Sequence, residues 1–229
     1  MDPRNESPFN ALPPVVVGLA VVIVGVELLF QAASLGLVGG AQGVGWRLTA
    51  LGDWSVADPV WQWMWTNRSF PPELLVRFVT YPLLHVNFTH ALFVAVFVLA
   101  FGNVNSVALP GWRQLAIFFG GAVAGALAFV MLYDARMPLV GGFAGAYAMI
   151  GAFTYLTRLG LTPVPPDRAF LLIGFLLALG PIFGFATGAG LSWVPDWTAE
   201  VAGAAAGYGI AVLLFPGGID RLRARLRQR

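Results

Sequence analysis

Six apolar stretches, each about as long as a lipid bilayer is thick, constrain the fold of this chain more than any other feature. We place them at about residues 15–38, 78–101, 112–133, 139–157, 169–189 and 198–215. A helix needs about 20 mainly apolar residues to cross the hydrocarbon core of a bilayer. Only 10% of the residues are charged, against about 25% in soluble domains. The sequence therefore predicts an all-α polytopic membrane protein with a bundle of six transmembrane helices.

The distribution of basic residues predicts how this bundle is oriented in the membrane. In this chain every lysine or arginine position is an arginine. With six spans both termini share one side, and that side holds nine arginines, at positions 4, 113, 158, 168, 221, 223, 225, 227 and 229. The other side holds four, at positions 47, 68, 77 and 136. Arginine concentrates in cytoplasmic loops, so we expect both termini in the cytoplasm. A cleaved signal peptide is the alternative for the first stretch, but its leader has no net positive charge.

Three segments follow from these stretches: a cytoplasmic N-terminus (1–14), a membrane domain (15–215) and a basic cytoplasmic tail (216–229). The connection between the first two stretches is long and rich in tryptophan. It predicts short helices lying in the outer membrane interface, with an ordinary packed loop as the alternative. The arginines of the tail would each gain about 1 kcal/mol at an anionic lipid surface, or they simply fix the topology. Membrane lipids are thus one expected partner.

Three short motifs lie on the second, fourth and sixth stretches. The second contains Arg77, then Leu84-His85 and Phe88-Thr89-His90, and ends near Phe101-Gly102. The fourth begins Leu139-Val140-Gly141-Gly142-Phe143-Ala144-Gly145-Ala146-Tyr147 and continues to Gly151-Ala152. The sixth contains Ala199-Glu200-Val201-Ala202-Gly203, followed by Gly207. In this order the three motifs resemble those of the bacterial rhomboid intramembrane serine proteases.

The resemblance to rhomboids implies a serine on the fourth span, a histidine on the sixth, and a histidine and an asparagine on the second. This chain departs from that pattern at three of the four positions. Phe143 or Ala144, depending on the alignment, stands for the serine, Glu200 for the histidine and Val94 for the asparagine, whereas His90 is kept. No serine occurs between residues 106 and 192. The resemblance therefore predicts a catalytically inactive rhomboid of the bacterial inner membrane, without a cofactor.

The polar residues that remain predict a pocket formed by His85, His90, Tyr147 and Gly141. We expect the two histidines and Glu200 to face the bundle interior, because charge inside a membrane costs several kcal/mol. The pocket either admits water and binds a ligand, or His90 and Glu200 form a hydrogen bond that joins spans two and six. Two histidines and one acid do not predict a metal site, and nothing indicates a nucleic-acid partner.

Two further features of the apolar stretches concern packing. Gly203 and Gly207 are four residues apart and share one helix face, which lets two helix backbones approach closely. Gly121 and Gly125 show the same spacing, although chance explains such a pair in a chain with 28 glycines. A lone acid in the first stretch, Glu27, predicts contact with a partner helix or a pair with Gln31 one turn further on.

Four functions remain open from the sequence. The first is an inactive rhomboid that binds transmembrane helices of client proteins, through the lateral entrance that the resemblance places between spans two and five. The second is a structural subunit of a larger membrane complex. The third is a proton or solute conduit that uses Glu27, Glu200 and the histidines, and the fourth is an active protease with an atypical site.

Overall fold

The computed structural model describes residues 12–227, and in this part of the chain the structure is almost entirely helical. Most of the predicted N-terminal segment 1–14 and the last two residues of the predicted tail lie outside the described residues. The helices are, in chain order, α1 (Pro14–Ser34), α2 (Gly40–Gly43), α3 (Trp46–Trp54), α4 (Asp58–Asn67), α5 (Pro72–Leu75), α6 (Arg77–Thr80), α7 (Phe88–Ser106), α8 (Trp112–Leu132), α9 (Phe143–Arg158), α10 (Ala169–Ala186), α11 (Val194–Leu214) and α12 (Gly218–Arg227).

Five of these helices are long and apolar enough to cross a membrane: α1, α7, α8, α11, and α10 together with the 3-10 turn before it. The one predicted span missing from this set is the fourth, which corresponds to α9; this helix has 16 residues and is therefore about 24 Å long. Fourteen of its residues are buried, so α9 is surrounded by other helices of the bundle. The prediction of an all-α polytopic bundle is confirmed.

The short helix α9 lies at the centre of the bundle. It packs against α8 and α11 along much of its length and also contacts α7 and α10. The first helix, α1, packs mainly against α7 and lies further from the centre. Small side chains dominate the contacts among α8, α9 and α11, and they allow these three backbones to approach closely. This three-helix core fixes the beginning of α9, where the candidate site is located.

One end of the bundle, which we call the loop face, carries helices α2–α6, segment 133–142 and the first turns of α7, α9 and α11. Val56 and Met64 pack there against Phe129 at the end of α8. Arg77 Nη1 donates a hydrogen bond of 2.9 Å to the Gly52 carbonyl, and this bond joins α6 to α3. The prediction of short helices in the first loop is confirmed, whereas their depth in a membrane stays a prediction.

The predicted second span, 78–101, is wrong at both ends. Residues 77–83 form a short helix and a 3-10 turn, and α7 begins only at Phe88. Pro82 has no N–H to continue a helix, and the side chain of Asn87 accepts a hydrogen bond of 2.9 Å from the His90 N–H, so that Asn87 caps a new helix. At its other end α7 continues through Gly102 to Ser106, because Gly102 packs closely on α1 and α9 and does not end the helix.

The predicted fourth span, 139–157, starts four residues too early. Leu139 is extended, because it pairs with Val56 in an antiparallel bridge with N···O distances of 2.8 and 3.2 Å. Gly141 has a φ of +91°, a conformation that glycine adopts easily and that ends the extended segment. The helix then begins at Phe143.

The cap at the start of α7 leads to a first prediction. Asn87→Ala removes the side-chain acceptor for the His90 N–H and is expected to cost about 1 kcal/mol of stability. Thermal unfolding in a mild detergent measures this loss. Asn103→Ala in the same helix removes an amide without a hydrogen-bond partner in residues 12–227, and it is expected to change stability by less than about 0.5 kcal/mol. Equal midpoints for the two variants would show that the cap does not stabilise α7.

A buried ion pair ties α1 to the loop face. Glu27 is 1% exposed, and its two carboxylate oxygens accept hydrogen bonds of 2.7 and 2.8 Å from Nη1 and Nη2 of Arg47. Gln31 Nε2 also donates to this carboxylate at 2.8 Å, so the predicted pair is confirmed. The sequence did not predict the pairing with Arg47, which lies 20 residues after Glu27 in the chain. Arg47 Nη1 donates further to the His85 carbonyl at 2.6 Å and so links α1 to the segment before α7.

Candidate functional site

A cavity of about 410 Å³ opens at the loop face, between the first turns of α7, α9 and α11. Its walls are mainly apolar. The lining residues are Val86, Asn87, Thr89, His90, Phe93, Leu139, Val140, Gly141, Phe143, Ala144, Asp196, Ala199 and Glu200. They include the positions that the sequence assigned to the lost serine and the lost histidine, so the structure brings these positions to one cavity.

Phe143 and Ala144 are both at the base of this cavity, in the first turn of α9. The ring of Phe143 stacks on the ring of His90, with the centroids 4.9 Å apart and the planes inclined by 23°. Ala144 is buried behind it, against Gly125 of α8 and Gly203 of α11. The stacked phenylalanine therefore fills the space beside His90.

His90 and His85 lie edge to face, with ring centroids 5.0 Å apart. His85 lies before α7 and not within a transmembrane helix, which corrects its predicted place in the second span. Burial lowers the pKa of His85 to about 4. The neutral ring accepts a hydrogen bond of 3.3 Å at Nε2 from the Gly142 N–H, just before α9. His85 thus holds the beginning of α9 in place.

Gly141 lies next to His90, and its N–H donates to the Tyr81 carbonyl at 3.1 Å. A Cβ atom at this position would collide with the His90 ring. Tyr147, also predicted in the pocket, does not line the cavity. It lies one turn deeper and donates a hydrogen bond of 3.0 Å from its hydroxyl to the Leu176 carbonyl of α10. Of the four predicted pocket residues, two line the cavity, one supports it and one anchors α10.

Glu200 lines the cavity, together with a second acid that the sequence analysis did not single out. This is Asp196, one turn earlier on α11. The spacing of four residues on one helix was the signal that could have identified it. Neither carboxyl group has a hydrogen-bond or ion-pair partner among residues 12–227.

The predicted hydrogen bond between His90 and Glu200 is not formed. Nε2 of His90 is buried and has no partner in the described part of the chain. The interpretation in which these two side chains join spans two and six is therefore wrong, because the His90 ring packs on Phe143 instead. Val94, at the position of the lost asparagine, is fully buried and packs towards Gly142.

The glycines of α11 bring this helix into close contact with α9. A Cβ atom at Gly203 or Gly207 would collide with the carbonyl oxygen of Ala144 or Ala148. Gly121 and Gly125 of α8 face the same stretch of α9. The floor of the cavity is therefore held by backbone contacts that leave no room for larger residues.

The two threonine hydroxyls of α9 do not line the cavity, and both are hydrogen-bonded within the helix. Thr154 and Thr157 donate to the carbonyls of Ile150 and Phe153, one turn before each of them. Within residues 12–227 no group of three His, Cys, Asp or Glu side chains could hold a metal ion. Thr89, an exposed residue in the first turn of α7, supplies the cavity's one hydroxyl among the described residues.

The family model of the rhomboid domain matches residues 72–217 of this chain. The match covers well over half of the 229 residues and includes every helix that lines the cavity. The chain belongs to the rhomboid family. No curated protein matches it. In this rhomboid, the cavity is lined by the positions that the family resemblance gives to the serine, to the histidine of the sixth span and to the histidine of the second.

The fifth transmembrane helix of this rhomboid, α10, is held to the bundle at a proline. Pro181 has no N–H, so the Leu177 carbonyl one turn earlier loses its helical partner. The indole Nε1 of Trp197 on α11 donates a hydrogen bond of 2.7 Å to that carbonyl. Together with the bond from Tyr147 to Leu176, it anchors a helix of which only 11% of the most apolar 18 residues are buried inside the bundle.

This anchor leads to a second prediction. Trp197→Phe removes the hydrogen bond to Leu177 and is expected to cost about 1 kcal/mol beyond the lost packing. In a Pro181→Ala background the carbonyl regains a helical partner, so the same substitution is expected to cost less. Thermal unfolding of the unchanged protein, the two single variants and the double variant gives the cost of Trp197→Phe in each background. Trp193→Phe, which removes a bond to the nearby Gly190 carbonyl, should cost the same in both backgrounds. An equal cost for Trp197→Phe in both would contradict this role.

Proposed function

We propose that this rhomboid does not cut proteins and instead binds a transmembrane helix of a client protein at its cavity. The observation that carries the proposal is the cavity itself. It is open at the positions that correspond to the family's active site. Phe143 or Ala144, depending on the alignment, stands there for the serine, and Glu200 stands for the histidine. Transmembrane helices of other membrane proteins are the partners that fit this location.

Chemistry supports the absence of cleavage. A serine-type mechanism needs a nucleophile and a base within hydrogen-bond reach of each other. Among residues 12–227 no hydroxyl group forms a hydrogen bond with His90 or with Glu200. His90 Nε2 is turned towards Gly141 and covered by it. The cavity therefore lacks the pair of groups that would begin the reaction.

Access from the membrane supports helix binding. The apolar side chains Phe97, at the middle of α7, and Ile173 and Leu177, in the first half of α10, belong to one cluster. Nearer the loop face, Phe93 lines the cavity and is 54% exposed. A cavity of about 410 Å³ accepts the side chains of about one helical turn. The rest of a client helix would lie along the exposed apolar faces of α7 and α10, as an apolar helix does in a groove.

Photo-crosslinking in native membranes tests this proposal. A photoreactive amino acid in place of Phe93 is expected to form adducts with several single-span proteins. The same residue in place of Leu213, which is 62% exposed near the other end of α11, is the control and is expected to form far fewer. One stoichiometric partner crosslinked at both positions would favour a structural subunit. No adduct at position 93 would contradict helix binding.

We also propose that this rhomboid resides in a bacterial inner membrane with both termini in the cytoplasm. The nine-to-four distribution of arginine and the basic helix α12 support this orientation. The chain contains no cysteine, so single cysteines can be introduced and labelled. A cysteine in place of Ser69 is expected to react with an impermeant maleimide in whole cells, and one in place of Asp220 only after lysis. The reverse pattern would contradict the orientation.

A further inference from the structure

The two acids that line the cavity are unlike the other acid within a transmembrane helix. Glu27 on α1 is paired with Arg47 through two hydrogen bonds. Asp196 and Glu200 on α11 have no such partner among residues 12–227, and no arginine lines the cavity. Asp196 is exposed and Glu200 is half-buried one turn deeper, so both carboxyl groups are accessible to a basic group from outside the chain. The cavity is therefore an apolar groove that carries acidic groups and lacks a cation of its own.

From this charge arrangement we infer that the cavity selects client helices that carry a lysine or arginine near the end that docks at the loop face. The inference rests on the proposed function and specifies the class of client. The basic group would form a charge-assisted hydrogen bond with one carboxylate or bridge both. Its methylene stem would pack against the apolar wall formed by Leu139 and Phe143.

The positions of the two acids define the depth at which a client must place its charge. Asp196 and Glu200 are the third and seventh residues of α11, so their Cα atoms lie about 3 and 9 Å from the beginning of the helix. A basic residue within the first two turns of a client helix lies at this depth. A basic residue at the middle of a client helix lies far below the carboxyl groups and gains nothing from them.

Three synthetic single-span helices of leucine and alanine test the inference. The first carries a lysine in its second turn, the second carries norleucine at that position, and the third carries the lysine at its midpoint. Each is reconstituted with the full chain, with a photoreactive amino acid at position 93, in vesicles of phosphatidylcholine and phosphatidylglycerol. We expect about tenfold more adduct with the first helix than with either of the other two. This is the ratio in affinity that one hydrogen bond to a charged group supplies.

Two variants assign this preference to the acids. Asp196→Asn combined with Glu200→Gln keeps the shape of the cavity. In this double variant, the adduct yield of the first helix is expected to fall to that of the norleucine helix. Asp53→Asn removes an exposed acid of α3, outside the cavity, and is expected to keep the full preference. Unfolding midpoints of both variants show that any loss of adduct is not a loss of folding.

The outcomes separate the inference from the proposed function. Equal adducts with all three helices would overturn charge selection and leave helix binding intact. Absence of adducts with all three would overturn helix binding itself. A preference that disappears when phosphatidylethanolamine is added would show that lipid amines fill the cavity, and would also overturn the inference.

Discussion

Arg47→Met is expected to destabilise this rhomboid by about 3–5 kcal/mol, because it leaves a buried carboxylate without its partner. Glu27 is completely buried, and Arg47 supplies two of its hydrogen bonds. The same guanidinium donates to the His85 carbonyl, and the ring of His85 holds Gly142 at the start of α9. The loss is therefore expected to reach the cavity, and not only the contact between α1 and the first loop. Unfolding in a mild detergent, followed by circular dichroism, measures it.

Two companion variants show whether the ion pair is responsible. Glu27→Leu combined with Arg47→Met replaces both charges with apolar groups and is expected to recover most of the lost stability. Arg168→Met removes an exposed arginine without an ion pair in the described residues, and is expected to change stability by less than about 0.5 kcal/mol. A double variant as unstable as Arg47→Met alone would mean that the cost is lost packing of the long side chain.

Gly207→Ala is expected to destabilise the protein by about 3 kcal/mol, although it adds only one methyl group. The new Cβ would collide with the Ala148 carbonyl, and this contact is backbone on both sides, so no flexible side chain can move away. The helices α9 and α11 would have to separate. Overpacking of a tight core typically costs about 1–3 kcal/mol, and a rigid backbone obstacle lies at the upper end of this range.

Gly209→Ala, two residues further along the same helix, is the matched control. Nothing lies within 4 Å of a Cβ atom at that position. The alanine is therefore expected to stabilise α11 by up to about 1 kcal/mol, because it restricts the unfolded chain and favours the helix. The two variants thus differ in sign as well as in size. If both substitutions were neutral, the close contact between α9 and α11 would not matter for stability.

Much of the fold could be predicted from the sequence, because hydrophobic length and the motifs of three spans are local signals. The break between residues 81 and 87 was missed, since the apolar pattern continues through Pro82 and Asn87 although the helix does not. The pairing of Glu27 with Arg47 was also missed, because a contact between two different helices, α1 and α3, leaves no periodic pattern in the sequence. Gly203 and Gly207 show the opposite case, in which spacing alone indicated the face that packs against a neighbour.

The candidate site was predicted in part. The motif order indicated which positions have lost the residues of a serine protease, and the structure places Phe143, His90 and Glu200 around one cavity. The interaction between the retained groups could not be predicted. Stacking of the Phe143 ring on His90 takes the place of the expected bond to Glu200, because ring packing depends on side-chain directions that only the tertiary structure fixes.

The most direct test of the central claim, that this rhomboid binds a client helix without cutting it, is the mass of the client after binding. The purified full chain, with a photoreactive amino acid at position 93, is incubated in vesicles with a single-span client for many hours before illumination. Intact-mass spectrometry then weighs both the adduct and the free client. With p-benzoylphenylalanine at position 93, which adds to a C–H bond without loss of atoms, we expect an adduct whose mass is the sum of the chain and the uncut client. A free client reduced to two fragments whose masses add up to the uncut client plus one water would contradict it.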